Sequence, residues 1–220
     1  MKPLNLILEF FEKFKVFYLK IFGIEERKLK KYRKAIANLA DREGQYIFPN
    51  SSANHAMVVM CNIFRTAKEY VYVFAGDLNG DVSKDEYIDE LVRFMNRDNV
   101  ELIVVLERKP QGKSDAVEAI LKFRRENPTK KIKIGLAKDS ECSLKLFNGQ
   151  HRHFTISDDR MFRLELIPTK YIAQGSFNRP EIVGELKNKF TTIKFEEITE
   201  TKDYLPPLVN ITNSQLGSTN

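Results

Sequence analysis

The chain has 220 residues, 42% of them hydrophobic, and carries a formal net charge of +6. This length and apolar share allow one well-packed domain with an extension, and they exclude a disordered chain. Its two cysteines, Cys61 and Cys142, show no CxxC spacing and no Cys/His cluster. This pattern excludes a structural zinc site and predicts two buried thiols in a reducing compartment.

The positive charge is concentrated at the start of the chain. Residues 1–46 contain eleven Lys or Arg and six Asp or Glu, so this segment carries +5 of the net charge. A basic segment beside a nearly neutral domain suits an acidic protein, an anionic lipid surface or nucleic acid. The alternative is a solvated helix face. We therefore predict that residues 1–45 form a basic amphipathic helical extension.

Two helices are predicted in this extension. The first, residues 3–22, has a narrow polar sector and a wide apolar remainder that needs a cover. We expect the domain itself or a second copy of the chain to cover it, rather than a membrane surface. The second helix, residues 25–39, is strongly basic. Its residues predicted to bind nucleic acid or a partner protein are Lys28, Lys30, Lys31, Arg33 and Lys34.

Charged residues interrupt the first apolar stretch. Glu9, Glu12 and Lys13 break any apolar run, and no small-residue cleavage site follows them. We therefore expect neither a secretory signal nor a spanning helix, which needs roughly 20 mostly apolar residues. The expected location is the cytoplasm.

A composition shift near Gly44 opens the main domain, predicted over residues 46–198. Its first half predicts helices and strands in alternation: helix 55–67, strand 70–75, helix 84–96, strand 100–106, helix 116–125 and strand 132–137. This alternation is typical of an α/β fold with helices on a mixed, largely parallel sheet. Functional loops in such a sheet follow the carboxyl ends of strands, here around 75–81 and 107–112.

After about residue 140 the pattern changes to short strands. They are predicted at residues 142–147, 152–157, 161–166 and 171–174. Pro180 then opens a helix, since its missing N–H is harmless in the first turn. Residues 199–220 are polar with two prolines, and we predict a disordered or loosely docked tail.

The most informative residues lie among these short strands. His151, His153 and Asp158 stand on one predicted strand and its end, and residues 175–178 read Gly-Ser-Phe-Asn. Phosphodiester chemistry through a histidine nucleophile needs an attacking imidazole, a group that orients it and donors for the phosphate oxygens. These segments offer all three.

The two segments resemble the motif of the phospholipase D superfamily, His-x-Lys-x-x-x-x-Asp followed by Gly-Ser-x-Asn. His153 stands where the lysine belongs, and residues 175–178 match the second part. The resemblance covers roughly residues 46–198 and implies a phospholipase D-like fold. It also implies a phosphodiesterase that needs no metal or cofactor, most simply a nuclease. Because the chain has one motif where these enzymes use two, it implies a homodimer as well.

Three departures from that pattern bear on the site. The lysine is missing, the gap between Asp158 and Gly175 is longer, and Phe190 stands where the family often places an orienting acid. An extra predicted strand lies in the gap. On it Arg163 and Glu165 share one face, because side chains alternate along a strand.

The resemblance then assigns roles. His153, rather than His151, is the central imidazole, and Glu165 replaces the acid that orients it. His151 and Asp158 also belong to the predicted catalytic set, and the sequence leaves open which of the two histidines is the nucleophile. The residues expected to hold phosphate are Arg163, Asn178 and Ser176.

Each assignment has a structural alternative. Asp158 and Asp159 suit a β-turn, and Gly175-Ser176 suits a turn before a helix. Arg163 and Glu165 could form an exposed cross-strand pair. For the whole chain, the alternative is a catalytically inactive adaptor that works with a partner protein or nucleic acid, as in anti-phage defence.

Overall fold

The computed structural model describes residues 25–79, 85–138, 145–146, 150–167 and 170–205. The predicted helix 3–22 and most of the predicted tail lie outside these ranges. The helices within them are α1 (residues 25–41), α2 (Ala53–Thr66), α3 (Asp85–Asn96), α4 (Asp115–Glu126) and α5 (Pro180–Phe190). A short 3-10 turn follows at Thr201–Asp203.

Local sequence explains where several helices begin. Ser52 caps α2, its hydroxyl accepting from the backbone N–H of His55 at 3.2 Å. Ser114 caps α4 in the same way through Val117 at 3.4 Å. Both bonds satisfy an N–H that has no partner within the helix. Pro180 starts α5, as its fixed φ predicts.

The strands in the described ranges are β1 (Phe48–Asn50), β2 (Tyr70–Ala75), β3 (Glu101–Leu106), β4 (Lys131–Ala137), β5 (Lys145–Leu146), β6 (Gln150–His151), β7 (Phe154–Ser157), β8 (Met161–Ile167), β9 (Ile172–Ser176) and β10 (Phe195–Glu197). Eight of them form one sheet in the order β1-β9-β8-β7-β2-β3-β4-β10. Strands β5 and β6 pair separately. The predicted α/β fold with a mixed sheet is confirmed.

The expectation of a largely parallel sheet holds only in its centre. Strand β3 runs parallel to both β2 and β4, as the alternating first half of the domain requires. The pairings that involve β1, β7, β8, β9 and β10 are antiparallel. The second half consists of strands joined by short connections, and such connections reverse the chain direction. In the eight-stranded sheet as a whole, antiparallel pairings therefore outnumber parallel ones.

Helices cover the sheet on both sides. Side chains of α1, α2, α3 and α4 pack against one face, with Val71 and Val73 of β2 among their contacts. Helix α5 packs against the other face, where it meets Tyr70 and Phe74 of the same strand. Strand β2 is therefore buried on both sides, in agreement with its continuous apolar sequence.

Both chain extensions dock onto the domain where they are described. Ile36 and Ala40 of α1 are buried in the main core, and the carboxylate of Glu86 on α3 binds the guanidinium of Arg33. Tyr204 is also buried, and its hydroxyl donates to Glu118 at 2.6 Å. The described start of the predicted tail is thus anchored to the domain through Tyr204, while Thr199, Glu200 and Lys202 beside it are exposed.

A candidate active site at the ends of the parallel strands

A cavity of about 290 Å³ opens where strands β2 and β3 end. It lies at the two loops that the strand pattern predicts to be functional, after residue 75 and after residue 106. Strand β7 runs antiparallel to β2, so its first residues reach the same end of the sheet. The polar residues that line the cavity include Asp77, Arg108, His153, Arg163 and Glu165, and Gly76 lies beside them.

Two carboxylates flank the ring of His153. Glu165 Oε2 lies 3.0 Å from Nδ1, and Glu107 Oε2 lies 3.0 Å from Nε2. The backbone sets both positions. The N–H of Glu165 donates to the carbonyl of His153 at 2.9 Å, and the N–H of Glu107 donates to the carbonyl of Ala75 at 2.8 Å. A protonated imidazole can donate to both carboxylates at once.

The electrostatics favour that protonated form. Burial lowers the pKa of His153, but the hydrogen bonds to Glu165 and Glu107 outweigh burial and raise this pKa above its ordinary value. For Glu165, burial raises the pKa, yet the hydrogen bond to His153 and the charge of Arg163 outweigh it and lower this pKa. Both shifts act in the same direction and favour an ion pair between the protonated ring and Glu165.

Arg163 supplies a guanidinium next to Glu165. Its Nη1 donates to Glu165 Oε1 and its Nε donates to Asn50 Oδ1, both at 3.0 Å. Asn50 is buried and donates in turn to the carbonyl of Tyr171 at 2.7 Å. Arg163 Nη2 is buried and has no hydrogen-bond partner among the described residues. Arg163 also lines the cavity, and a guanidinium with an unused N–H is a donor suited to an oxyanion.

A second guanidinium stands at the mouth of the cavity. Arg108 Nη2 lies 3.2 Å from Asp77 Oδ2, and its Nη1 lies 3.7 Å from Glu107 Oε2. Gly76 makes room for this arrangement. A Cβ at Gly76 would lie 3.1 Å from His153 Cε1 and 3.2 Å from Arg108 Nη2, closer than packed atoms normally approach.

Asp158 lies at the opposite end of β7. Its carboxylate accepts from the backbone N–H groups of Lys68, Glu69 and Tyr70 at 2.7, 3.0 and 3.1 Å. Its φ of 52° is the left-handed conformation that Asp tolerates in turns. The four residues of β7 separate it from His153, which places the two about 16 Å apart at the usual rise per residue. The structure thus gives Asp158 the turn role and does not bring it to the cavity.

Ser176 and Asn178 lie at that same far end. The hydroxyl of Ser176 is buried, donates to the carbonyl of Gly44 at 3.3 Å and accepts from the N–H of Asn178 at 3.3 Å. Neither residue lines the cavity. The Gly-Ser-Phe-Asn segment therefore joins β9 to α5, and the structure does not place it beside His153.

The remaining predicted residues divide in two groups. Arg163 and Glu165 are 6% and 8% exposed, so the alternative of an exposed cross-strand pair is wrong. His151 belongs to β6, outside the eight-stranded sheet that carries the cavity.

The basic residues of α1 also divide. Arg33 is bound to Glu86 and Lys28 to Glu25, whereas Lys30, Lys31 and Lys34 are exposed. Arg27, Lys28, Lys30, Lys31 and Lys34 together line one surface depression. Helix α1 therefore carries the predicted basic face. Arg33 is not part of this face, because its guanidinium binds Glu86 on α3.

Sequence reasoning missed two residues of the site. Glu107 directly follows the apolar strand β3, in a loop that the strand pattern indicates. Asn50 belongs to the short strand β1, whose sequence is typical of a turn. Asn50 lies beside Arg163 because β1 pairs with β9, and no local sequence pattern predicts that pairing.

In the described part of the chain, no group of three or more His, Cys, Asp or Glu side chains is arranged to hold a metal ion. None of the helices described there is long and apolar enough to cross a membrane.

The fold is similar to solved structures of phospholipase D family members. Nuc from Salmonella typhimurium, a phospholipase D family member, superposes with a TM-score of 0.47 and 13% identity, over 70% of this chain and 99% of that chain. Phosphatidylserine synthase from Haemophilus influenzae gives 0.45 and 11%, over 72% of this chain and 41% of the synthase.

A third similar structure is TrmBL2, an archaeal chromatin protein that binds DNA. Its TM-score is 0.45 with 13% identity, over 87% of this chain and 68% of that chain. No protein-family model and no curated protein matches the sequence. At such low TM-scores and identities, what these proteins do carries no weight for this chain, and its function depends on its own side chains.

Proposed function

We propose that this chain is a phosphodiesterase acting on nucleic acid through a histidine nucleophile. The observation that carries the proposal is that Arg163, whose buried Nη2 has no hydrogen-bond partner among the described residues, lines the same cavity as His153. A phosphate oxygen bound to Arg163 would sit in the same cavity as the imidazole. Proximity of this kind removes much of the entropic barrier to attack.

Glu165 links the two groups. It accepts from Nδ1 of His153 through one oxygen and from Arg163 through the other. This double contact fixes the ring so that Nε2 is the nitrogen that attacks phosphorus. It also stabilises the positive charge that the ring carries as a phosphohistidine.

Nucleic acid is the substrate class that the surface favours. The exposed lysines of α1 form a basic face, and each Lys or Arg that neutralises a backbone phosphate releases a counterion. The phosphodiester of DNA or RNA thus matches both the cavity and this face.

The test is cleavage of single-stranded and duplex DNA and RNA by the full chain in EDTA. We expect turnover by the wild type and loss to background in His153→Asn. His55→Asn is the control, because His55 lies on α2 and contacts Ser51 and Tyr32 instead of the cavity. Equal cleavage by wild type and His153→Asn would refute the proposal.

A second candidate function is a non-catalytic module that binds a phosphate group of a partner. The observation that favours it is that both ring nitrogens of His153 already lie 3.0 Å from carboxylate oxygens, and these contacts raise its pKa and so favour the protonated ring, which is not nucleophilic. An adaptor of this kind would bind phosphodiesters in both wild type and His153→Asn without cleaving them. Retained binding with no turnover by the wild type would establish it.

A further inference from the structure

A carboxylate occupies the position in front of Nε2 of His153, the nitrogen assigned to attack phosphorus. Glu107 Oε2 lies 3.0 Å from this nitrogen. A nucleophile and the atom that it attacks must come to about 3–3.5 Å of each other before a bond can form. The carboxylate oxygen therefore stands where the phosphoryl group of a substrate has to stand, and the two cannot be there together.

The guanidinium of Arg108 lies at the same place. Its Nη1 is 3.7 Å from the Glu107 oxygen that contacts the ring. A Cβ at Gly76 would lie 3.1 Å from His153 Cε1, and 3.2 and 3.3 Å from Arg108 Nη2 and Nη1. The imidazole and the guanidinium thus face one small space, which glycine leaves open. Two cationic donors beside one space are suited to a phosphoryl oxyanion.

We infer that Nε2 of His153 and the guanidinium of Arg108 form the subsite for the phosphoryl group of a phosphate ester, and that the Glu107 carboxylate fills this subsite until the ester displaces it. The inference deepens the proposed function and rests on it, because it names the groups that receive the scissile phosphate. Arg108 then contacts non-bridging oxygens, which lie to the side of the line between the attacking nitrogen and the leaving oxygen.

The charges around the cavity explain why a carboxylate must give way. Arg163 pairs with Glu165 at 3.0 Å, and Arg108 pairs with Asp77 at 3.2 Å. The ring of His153 has a carboxylate at each nitrogen. A phosphate that entered beside all three carboxylates would meet like charges at close range. Binding is therefore favoured when the phosphate replaces one of them.

Glu107 is the carboxylate placed to yield. Its side chain is 23% exposed, against 10% for Glu165, and it follows the last residue of β3. Glu165 binds both His153 and Arg163, so its departure would break two contacts within the site. When Glu107 withdraws, Nδ1 of the ring stays with Glu165, and Nε2 faces the bound phosphate.

The exchange needs only a movement of the Glu107 side chain. The backbone N–H of Glu107 donates to the Ala75 carbonyl at 2.8 Å, and the N–H of Arg108 donates to the Gly76 carbonyl at 3.0 Å. These two bonds extend the parallel ladder between β2 and β3 beyond the strand ends. The Arg108 backbone is therefore fixed beside the ring, and its guanidinium remains there after the carboxylate has left.

The test measures the affinity for inorganic phosphate, which needs no turnover. Titration calorimetry of the full chain at one ionic strength gives the dissociation constants of wild type and Glu107→Ala. We expect Glu107→Ala to bind phosphate about 10-fold more tightly, because the anion no longer has to displace a carboxylate. Glu107→Gln, which keeps the size of the side chain, should change the affinity in the same direction. Equal or weaker binding by both variants would overturn the inference.

Glu101→Ala is the matched control for the loss of one negative charge. Glu101 lies at the other end of β3, where its carboxylate accepts from the Tyr72 hydroxyl. This variant should bind phosphate as the wild type does. The same increase in Glu101→Ala as in Glu107→Ala would reduce the effect to net charge and would overturn the inference.

Arg108→Gln tests the other half of the subsite. In the Glu107→Ala background we expect it to weaken phosphate binding about 10-fold, as the loss of a hydrogen bond between charged groups predicts. Lys109→Gln is its control, because Lys109 is the exposed next residue and does not line the cavity. No effect of Arg108→Gln, or an equal effect of Lys109→Gln, would contradict a subsite at Arg108.

NMR spectra of the histidine rings locate the bound phosphate. Its addition to Glu107→Ala should shift the ring resonances of His153 and leave those of His55 unchanged, since His55 stacks on Tyr32 instead of lining the cavity. A shift at His55 with none at His153 would place the phosphate elsewhere and would overturn the inference.

Failure of the inference and failure of the proposed function give different results. Cleavage that depends on His153, together with an unchanged phosphate affinity in Glu107→Ala, overturns the inference alone. The expected phosphate affinities without any cleavage of nucleic acid would overturn the proposed catalysis and support the subsite as an anion-binding site.

Discussion

The hairpin formed by β7 and β8 carries a buried carboxylate at each end, and the two have different partners. Asp158 at the turn accepts from three backbone N–H groups. Glu165 at the open end accepts from an imidazole and a guanidinium instead. Backbone N–H groups do not act as acids, bases or nucleophiles at neutral pH, whereas an imidazole can transfer a proton and a guanidinium can bind an anion. Partners, rather than residue type or motif position, therefore separate a scaffold carboxylate from a site carboxylate.

The same contrast applies to the neighbours of the two acids. At the turn, the Ser176 hydroxyl and the Arg160 guanidinium bind backbone carbonyls. At the open end, Arg163 keeps one buried nitrogen without a partner among the described residues. A buried donor left unsatisfied costs about 1–3 kcal/mol. Binding of an anion to this nitrogen would offset that cost.

The largest effect should come from the carboxylate at the open end. Glu165→Gln removes the charge that orients and stabilises the His153 ring, so we expect kcat to fall about 10³-fold, in the range seen when an electrostatic partner is removed. Cleavage of DNA or RNA in EDTA measures this decrease. Asp158→Asn is the matched change at the turn and should leave kcat unaltered. Equal decreases in kcat in both variants would contradict the distinction between a scaffold carboxylate and a site carboxylate.

Arg163→Lys should produce the next largest effect. Lysine keeps the positive charge but not the planar fork that serves Asn50, Glu165 and a phosphate oxygen together. We expect kcat/KM to fall about 10²-fold, which corresponds to roughly two charge-assisted hydrogen bonds. The control is Arg160→Lys, where the guanidinium binds the Phe177 carbonyl at the turn. Full activity of Arg163→Lys would contradict a role in holding phosphate.

Asp158→Asn should act on stability alone. One carboxylate oxygen accepts from Lys68 and the other from Glu69 and Tyr70. An amide has a single oxygen and no charge, so it cannot accept from all three N–H groups, and we expect the free energy of unfolding to fall by about 2 kcal/mol. At this chain length the melting temperature should fall by about 6 °C. Asparagine also tolerates the positive φ of this position, so the turn itself is kept. A melting temperature equal to wild type would show that these three bonds contribute nothing.

The pH dependence of the free energy of unfolding should reflect the interactions of His153 and Glu165 at the open end of the hairpin. The raised pKa of His153 means that its contribution is fully present below the unfolded value of about 6.5 and is lost as pH rises through the folded pKa. The lowered pKa of Glu165 means that its contribution is present above its unfolded value and is lost as pH falls through the folded one.

Denaturant unfolding of wild type and His153→Gln across this pH range measures the difference. We expect the two free energies of unfolding to differ most near pH 5–6.5 and to converge at alkaline pH. Each unit by which the His153 pKa is raised corresponds to about 1.4 kcal/mol. A constant difference across the range would mean that the carboxylates do not favour the imidazolium.

The smallest effect should come from the basic face of α1. Changing Lys30, Lys31 and Lys34 together to Gln should weaken nucleic-acid binding and reduce the dependence of log affinity on log salt. The expected change in slope is about 2 to 3, since each lysine that neutralises a backbone phosphate contributes close to one. Arg33 is left in place because it holds α1 to α3. An unchanged slope would assign these lysines to a solvated helix face.

Local sequence is sufficient to predict most of the fold. The apolar run of β2 and the alternation of helices with strands predict the central parallel strands almost residue by residue, since burial on both faces requires such runs. The antiparallel pairings at the side of the sheet are harder to predict, because the paired strands β1 and β9 are far apart in sequence. Tyr204 lies in a polar segment, where a single buried aromatic leaves no periodic pattern.

The site is predictable only in part, for a physical reason. The alternation of side chains places Arg163 and Glu165 on one face, and the structure pairs them. Motif spacing equally suggests Asp158, Ser176 and Asn178, but spacing does not reveal which end of a strand faces a cavity. Glu107 and Asn50 belong to strands, or to the ends of strands, whose neighbours in the sheet the sequence does not specify.

The most direct test of the proposed chemistry is to trap the covalent intermediate on His153. The full chain is mixed with a nucleoside p-nitrophenyl phosphate in EDTA, quenched within milliseconds under alkaline conditions, and digested for mass spectrometry. We predict a nucleotidyl adduct on the peptide that contains His153, absent from His153→Asn. Turnover without any adduct on a histidine, or an adduct on His151 that survives in His153→Asn, would contradict the assignment of His153 as the nucleophile.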